Sequence, residues 1–350
     1  MLFYFSISIF LSVLYGWLML RYYFDWQSIP VYQPPEHIAP HTKVSILVPA
    51  RNEAANIRRC IQSLLQQQYP PELYEIIVID DHSEDHTAAI VESIGDSRLH
   101  LLRLSDFSES ETIAYKKQAL TVGIGAARGK VILTTDADCV MSPESLGILM
   151  AYYEAQHPKM IAAPVVMTGE KSLLERFQAL DFCGMMGVTG AGILKGYMLM
   201  GNGAHIAYEK KAFKAVNGFE GIDHLASGDD MLLMQKIAAA YPGGVHFLKN
   251  SEAIVHTKAQ STWKAFISQR IRWASKSAAY PQKGVSLQLA IVFFFCCTLF
   301  LNILLMPFFP MLLGVVLFQW IIKAFVDFIL LNALCRFFDK RKLVWSFIPA

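Results

Sequence analysis

A chain of 350 residues with a formal charge of only +2 lacks the basic excess of a nucleic-acid binder. At 54% hydrophobic and 17% charged it is too apolar for an ordinary soluble globule and points to membrane segments beside a globular part. Its six scattered cysteines form no C-x-x-C pair or disulfide-like framework, which excludes a stapled secreted scaffold and agrees with reduced thiols.

Leu2 to Leu20 carries no charge and Arg21 follows at once, a run just long enough to cross a hydrocarbon core of ~30 Å. A cleaved signal peptide would place basic residues before the run and a small-residue cleavage site after it. Here the positive charge follows, and Tyr22, Tyr23, Phe24 and Trp26 read as an interfacial aromatic belt. Residues 1–23 are therefore expected to be a retained anchor with its N-terminus outside. Residues 24–41, with Pro34, Pro35 and Pro40, read as a linker off the membrane.

Residues 42–258 carry an alternating strand–helix pattern. Val44–Pro49 is a strand stopped by proline, and Ile57, Cys60, Ile61, Leu64 and Leu65 then fall at helical spacing. A second strand, Tyr74–Ile79, runs into Asp80 and Asp81. This order predicts a parallel, Rossmann-like sheet, and the missing G-x-G-x-x-G after the first strand disfavours dinucleotide binding. Lys116–Leu120 falls on the helix before a third strand, whose apolar run from Val131 ends in Asp136-Ala137-Asp138. Strand alternation would put both carboxylates on one side of an extended segment, where hard oxygens suit Mg²⁺ or Mn²⁺ and, through it, a diphosphate. Acids at two strand ends make an anionic rim that is costly unless cations or hydrogen-bond donors occupy it. One such carboxylate could accept the imide N–H of a uracil.

Residues 172–195 are too apolar for a solvated helix and, with Gly184, Gly187, Gly190 and Gly192, too interrupted for a span. A membrane-surface or acceptor-lining segment and a plain core helix both fit. Gly201–Tyr208 calls for close backbone approach or positive φ. Ala226-Ser227-Gly228-Asp229-Asp230 before an apolar helix places a carboxylate at a helix N-terminus, either as a cap or as a general base facing an acceptor hydroxyl. Residues 259–284 contain an amphipathic helix around Trp263–Trp273, expected at the membrane surface, whose arginine could fork onto diphosphate oxygens.

Between Lys283 and Lys323 there are 39 residues without Asp, Glu, Lys or Arg, about 58 Å if helical. With Pro307 and Pro310 at the middle, a hairpin over 285–335 is expected, followed by a basic tail over 336–350. Arg21, Lys283, Arg336 and Lys340–Lys342 then share one side, which puts residues 21–284 in the cytoplasm of a protein integral to an inner or plasma membrane. Lys323 and Asp327 lie at i, i+4 in the last span. They read either as a neutralising pair near the cytoplasmic interface or as a functional intramembrane pair.

Taken together, Val44–Glu53, Ile77–Asp85, Lys116–Leu120, Asp136–Asp138, Gly201–Tyr208, Gly228–Leu233 and Gln269–Trp273 resemble the membrane-bound family 2 glycosyltransferases over residues 42–275. The resemblance implies an α/β GT-A fold, a Rossmann-like mixed sheet flanked by helices, with transmembrane helices at both ends. It implies that Ala50, Arg51, Glu53 and Asp81 line the donor nucleotide, Asp81 on the base and Glu53 near the ribose. Asp138, helped by Asp136, would hold Mg²⁺ or Mn²⁺. Asp230 would be the base, with Asp229 where Glu is commoner, and Gln269, Arg272 and Trp273 would lie by the diphosphate and acceptor. Lys116 falls where many members carry Gly-Lys, with Tyr115 replacing that glycine. His256 could lie near the metal or be structural. The expected activity is inverting transfer from a nucleoside-diphosphate sugar, a UDP-sugar favoured, to a lipid or glycan hydroxyl at the membrane. A processive polysaccharide synthase and a non-catalytic membrane scaffold are the alternatives.

Overall fold

The computed structural model of the chain describes residues 2–35, 40–107, 115–223, 225, 228–274 and 283–346. Residues 36–39 of the expected linker, 226–227 ahead of the Gly228-Asp229-Asp230 run, and 347–350 of the tail lie outside the described residues.

The centre is a mixed sheet. Strands β1 (Val44–Ala50) and β2 (Tyr74–Asp80) pair in parallel, from Val44 opposite Tyr74 to Ala50 opposite Asp80. β3 (Leu99–Arg103) continues beyond β2, and β4 (Val131–Thr134) pairs in parallel with β1 on its other side. Ile46, Leu47, Val48, Ile76, Val78, Ile132 and Leu133 are all buried, as expected where helices cover both faces of parallel strands. Beyond β4 the sheet turns antiparallel with β8 (Ile206–Glu209), then β6 (Met160–Ala162) and β9 (Val245–Phe247), giving the order β3-β2-β1-β4-β8-β6-β9. A small second sheet joins β5 (Val140–Met141), β10 (Val255–Lys258) and β7 (Val165–Thr168). The parallel strands β1, β2 and β4 all point their carboxyl ends to one edge, where α/β folds bind ligands.

Helices α2 (Ile57–Leu65), α3 (Thr87–Glu92), α4 (Tyr115–Ala126), α5 (Ser145–Gln156), α7 (Lys210–Ala215) and α8 (Asp229–Ala240) accompany the strands. Four other helices include long apolar stretches: α1 (Leu2–Ser28), α6 (Leu173–Lys195), α10 (Lys283–Leu305) and α11 (Leu312–Phe337). All four are long and apolar enough to cross a membrane. They divide by burial. The apolar windows of α1, α10 and α11 are 28%, 22% and 28% buried, whereas that of α6 is 67% buried against its neighbours. Helix α6 is thus a core helix, unbroken by its glycines. Ser172 and Glu175 start it with a capping box, and Gly196 ends it at φ +70°. Pro307 and Pro310 stand between α10 and α11, where the hairpin turn was expected.

Two membrane-side expectations are modified. Helix α1 runs to Ser28, through the first residues assigned to the linker. Of its four trailing aromatics, Phe24 is exposed but Tyr22 and Trp26 are buried. Trp26 meets Phe247 and Phe337 edge-on, at 5.9 and 5.2 Å between ring centroids. The Lys249 ammonium donates to the Trp26 and Ile29 carbonyls at the end of α1, at 2.8 and 3.3 Å. These aromatics dock α1 onto the sheet domain more than they form a belt. Lys323 and Asp327 stand in the middle of α11 rather than near its end, and Asp327 also accepts a 2.6 Å hydrogen bond from Tyr15 of α1.

Candidate active site

A cavity of about 520 Å³ opens at the carboxyl edge of the parallel strands. All twelve expected site residues line it: Ala50, Arg51, Glu53, Asp81, Lys116, Asp136, Asp138, Asp229, Asp230, Gln269, Arg272 and Trp273.

Asp81 follows β2, and its N–H donates to the Ala50 carbonyl at 2.8 Å, so the ends of two neighbouring strands are tied together. Its buried carboxylate meets His82 Nδ1 at 3.0 Å and the Arg51 guanidinium at 4.0 Å. Arg51 lies over the Tyr115 ring, 4.8 Å from its centroid, which gives the tyrosine at that unusual position a partner. Glu53 accepts from Asn56 Nδ2 at 2.9 Å. Burial first, and then the charges of Asp138, Asp136 and Asp85, hold its carboxyl above the usual range despite that bond.

The Asp136–Asp138 pair is not on an extended segment as the alternation argument assumed. β4 ends at Thr134, and a turn follows in which Cys139 N–H donates to the Asp136 carbonyl at 3.0 Å. The turn still converges the carboxylates: oxygens of Asp136 and Asp138 and the Cys139 sulfur lie within 4.8 Å of one another. Burial, then the Asp136 charge, raises the Asp138 pKa, although Thr257 Oγ1 donates to Asp138 Oδ2 at 3.2 Å. The Cys139 thiol, buried beside both carboxylates, is pushed well up and stays protonated. The donor set is therefore two hard carboxylate oxygens beside a protonated thiol, which fits Mg²⁺ or Mn²⁺ and not a thiolate-bound soft metal.

Lys116, on the first turn of α4, joins the two acidic pairs. Its ammonium is 2.7 Å from Asp136 and 3.6 Å from Asp229. Burial opposes its charge, but Asp136, Asp229 and Asp230 outweigh this and raise its pKa. Gly228, at φ +88°, precedes α8 and turns both acids inward. Asp230 Oδ2 accepts from Gly203 N–H at 3.0 Å and Oδ1 from Met231 N–H at 2.7 Å, which fixes the carboxylate at the cavity wall. A Cβ on Gly203 would come within 3.2 Å of Lys116 Nζ and 3.4 Å of Asp229 Oδ2, so the close approach required of this loop is real.

The roof is α9 (Trp263–Ala274), with Trp263, Ile267 and Ile271 exposed and Gln269, Arg272 and Trp273 on the cavity. Gln269 Oε1 is buried without a hydrogen-bond partner among the described residues. Arg270 pins α9 to α6 through a 2.6 Å ion pair with Asp181 and lies 4.8 Å from the Trp273 centroid. The cavity also has an apolar lining that includes Met167, Phe182, Met185, Met186 and Met200.

Sequence reasoning did not single out Thr257, Met167 or the Arg270–Asp181 tie. It named His256, the neighbour of Thr257. Adjacent strand residues face opposite ways, and only Thr257 of the two lines the cavity. Burial first, then the charge of Lys340, lowers the His256 pKa.

The chain matches the glycosyl transferase family 2 over residues 45–216 and the glycosyl transferase family group 2 over residues 131–338. It belongs to the family 2 glycosyltransferases, with the GT-A fold. It is 27% identical to the probable glycosyltransferase YdaM of Bacillus subtilis over 284 residues, covering 78% of this chain and 65% of YdaM. It is 24% identical to the poly-beta-1,6-N-acetyl-D-glucosamine synthase of Staphylococcus epidermidis over 234 residues, covering 66% of this chain and 53% of that protein. The chain thus spans between half and two thirds of the length of these two relatives. Among solved structures, the mannosyltransferase PcManGT from Pyrobaculum calidifontis, in complex with GDP-Man and Mn²⁺, superposes with a TM-score of 0.68. The superposition covers 98% of this chain and 97% of that one at 17% identity, a likeness of fold.

Proposed function

We propose that this chain is an inverting glycosyltransferase that moves a sugar from a nucleoside-diphosphate sugar to a hydroxyl acceptor, lipid or glycan, at a membrane surface. The observation that carries this reading is convergence. Acids from the ends of β2, β4 and the start of α8 meet the Gln269–Trp273 face of α9 on one cavity.

The roles follow from the chemistry of each group. Asp81 accepts an N–H from the donor base, with Arg51 beside it and Glu53 toward the ribose. Uracil offers its imide N–H there; guanine, the base of the GDP-Man bound in PcManGT, offers N1–H in the same way. We favour a UDP-sugar. Asp138 and Asp136 would hold Mg²⁺ or Mn²⁺, which when bound neutralises charge building on the leaving diphosphate. Arg272 and Gln269 bind diphosphate oxygens from the opposite side, and Trp273 packs beside the acceptor. Asp230, held by two backbone N–H groups, takes the acceptor proton as the acceptor oxygen bonds to the anomeric carbon and the bond to the diphosphate breaks. One base and direct displacement give inversion. Lys116 keeps Asp136 and Asp229 from repelling the incoming donor.

The exposed apolar faces of α1, α10 and α11 support a membrane-integral protein, with Arg21, Lys283 and Arg336 at the end nearest the sheet domain and that domain in the cytoplasm. Single transfer is favoured over polymer synthesis because the three helices bury polar side chains against one another. Asn302, for example, bonds Ser8 and Gln319 at 3.2 and 2.8 Å where a polymer would need a conduit.

The test uses the purified full chain with a panel of nucleotide sugars and Mn²⁺. One donor should raise the thermal midpoint, and excess chelator should abolish transfer. Asp230→Asn should cut turnover by roughly 10²–10⁴-fold while keeping that donor shift. Near-normal turnover in this variant would remove Asp230 as the base. Absence of any donor shift and any sugar-nucleotide hydrolysis would favour the scaffold reading.

A further inference from the structure

At the opposite edge of the sheet lies a second concavity, of about 490 Å³, whose lining is almost wholly basic: Lys43, Arg128, Lys130, Lys210, Lys211 and Lys214, with His41 at its rim. These residues come from three places that the fold brings together. Lys43 precedes β1, Arg128 and Lys130 lie on the turn into β4, and Lys210, Lys211 and Lys214 lie on α7. The backbone holds them in register, with Lys130 N–H donating to the Lys43 carbonyl at 2.8 Å and Lys210 N–H to the Lys130 carbonyl at 2.9 Å. The turn has no room to move inward, since a Cβ on Gly129 would come within 2.4 Å of Ser45 N.

The charge here is poorly compensated. Glu75 is the acid nearest Arg128, at 4.0 Å from Nε, and its other oxygen is taken by the Arg128 N–H and Ser45 hydroxyl. Glu154 is occupied by His41 and the N–H groups of His41 and Thr42. Lys210 donates to the Ala127 carbonyl and Lys130 lies over the Tyr153 ring, neither of which cancels a charge. Lys43, Lys211 and Lys214 have no acidic partner among the described residues. Burial first, then repulsion from Lys214, lowers the Lys210 pKa, with Glu75 opposing. On a chain whose net charge is only +2, six cations around one concavity are a local excess that an anion would relieve.

We propose that this basic concavity is a binding site for a compact oligophosphate, separate from the catalytic cavity at the other end of β1 and β4. The lining offers no Phe, Tyr or Trp on which a base would stack, so the phosphates themselves are what its clustered ammonium and guanidinium groups read.

The test is calorimetric titration of the full chain with inorganic tripolyphosphate at 0.15 M salt, beside Lys211→Gln/Lys214→Gln. Neither lysine belongs to the catalytic machinery, so the variant keeps whatever transfer activity the protein has. Saturable one-to-one binding, weakened roughly tenfold or more in the variant, is expected. Absence of saturable binding would overturn the proposal, as would undiminished binding in the variant, which would place the anion elsewhere. Co-sedimentation with vesicles containing anionic lipid forms a further arm. Lysine-dependent vesicle binding without tripolyphosphate binding would assign the patch to a membrane surface instead. Because the readout is binding, the result does not depend on whether the chain transfers sugar.

Discussion

At the scale of single residues, the acids were legible because each interrupts an apolar run within a few positions of a strand or helix end. Asp81, Asp136, Asp138, Asp229 and Asp230 needed only that local contrast. Thr257 did not show in the same way, because its placement depends on β10 pairing with both β5 and β7, strands far away in sequence. His205 is a related case, hidden inside the Gly201–Tyr208 run. It is fully buried, its Nδ1 3.2 Å from the Pro164 carbonyl and its Nε2 3.5 Å from Ser145 Oγ, and burial lowers its pKa to about 4. The folded state therefore refuses a proton that the unfolded chain takes up near pH 6.5. Between those values the unfolded state binds more protons, so stability falls as pH drops from about 6.5 to about 4, by up to roughly 3 kcal/mol from this residue. Thermal midpoints of the protein and of His205→Asn across that window should converge toward acid pH. Parallel curves would show that His205 does not titrate in this way.

At the scale of elements, β1, β2, β4 and α10 were visible as largely apolar runs ended by proline or acid, and α11 as one interrupted by Lys323 and Asp327 and closed by Arg336. The short strands β6, β7 and β9 were not, since they have only three or four residues and depend on non-local pairing. Helix α6 was read with its glycines as interruptions. They prove to be contact points, because burial on several sides requires a thin helix. A Cβ on Gly187 would meet Leu334 of α11 at 2.5 Å, and one on Gly190 would meet Ile29 and Phe247 at 3.0 Å. The tightest is Gly192, where the obstacle is the Met198 carbonyl oxygen at 2.3 Å, a backbone atom that a rotamer change cannot move aside. Gly184 instead faces Leu331 at 3.5 Å, an ordinary contact. Gly192→Ala should therefore lose roughly 1–3 kcal/mol of stability, and Gly184→Ala should be near neutral, helped by alanine's better helix propensity. Equal thermal midpoints for the two variants in detergent would contradict this packing account.

At the scale of the whole molecule, the question is what joins three apolar helices to a soluble-type sheet domain without strain between them. Helix α1 is the link. Its far half carries Tyr15 into the bundle and its near end, through Trp26 and Lys249, grips β9 and the loop after it. Within the bundle, Tyr15 stacks on Phe295 of α10 at 4.1 Å and bonds Asp327 of α11, while Lys323 reaches both Asp327, at 2.5 Å, and the Tyr15 hydroxyl, at 3.2 Å. The pair is thus shared by α1 and α11 at mid-bundle, remote in sequence from every residue lining the candidate active-site cavity. Its geometry suits a tie that sets the rotation of one helix against another. On this account Asp327→Leu alone leaves the Lys323 ammonium without a counter-charge, with only the Tyr15 hydroxyl beside it. Adding Lys323→Leu removes the stranded charge, so the double variant should be more stable than the single by roughly 2–3 kcal/mol. This difference is read as thermal midpoints in a fixed detergent, with sugar transfer measured on the same preparations. The double variant should keep near-normal turnover, because nothing in the cavity touches the pair. If it folds as well as the wild type and yet transfers no sugar, the pair acts in the reaction cycle and the purely architectural account fails.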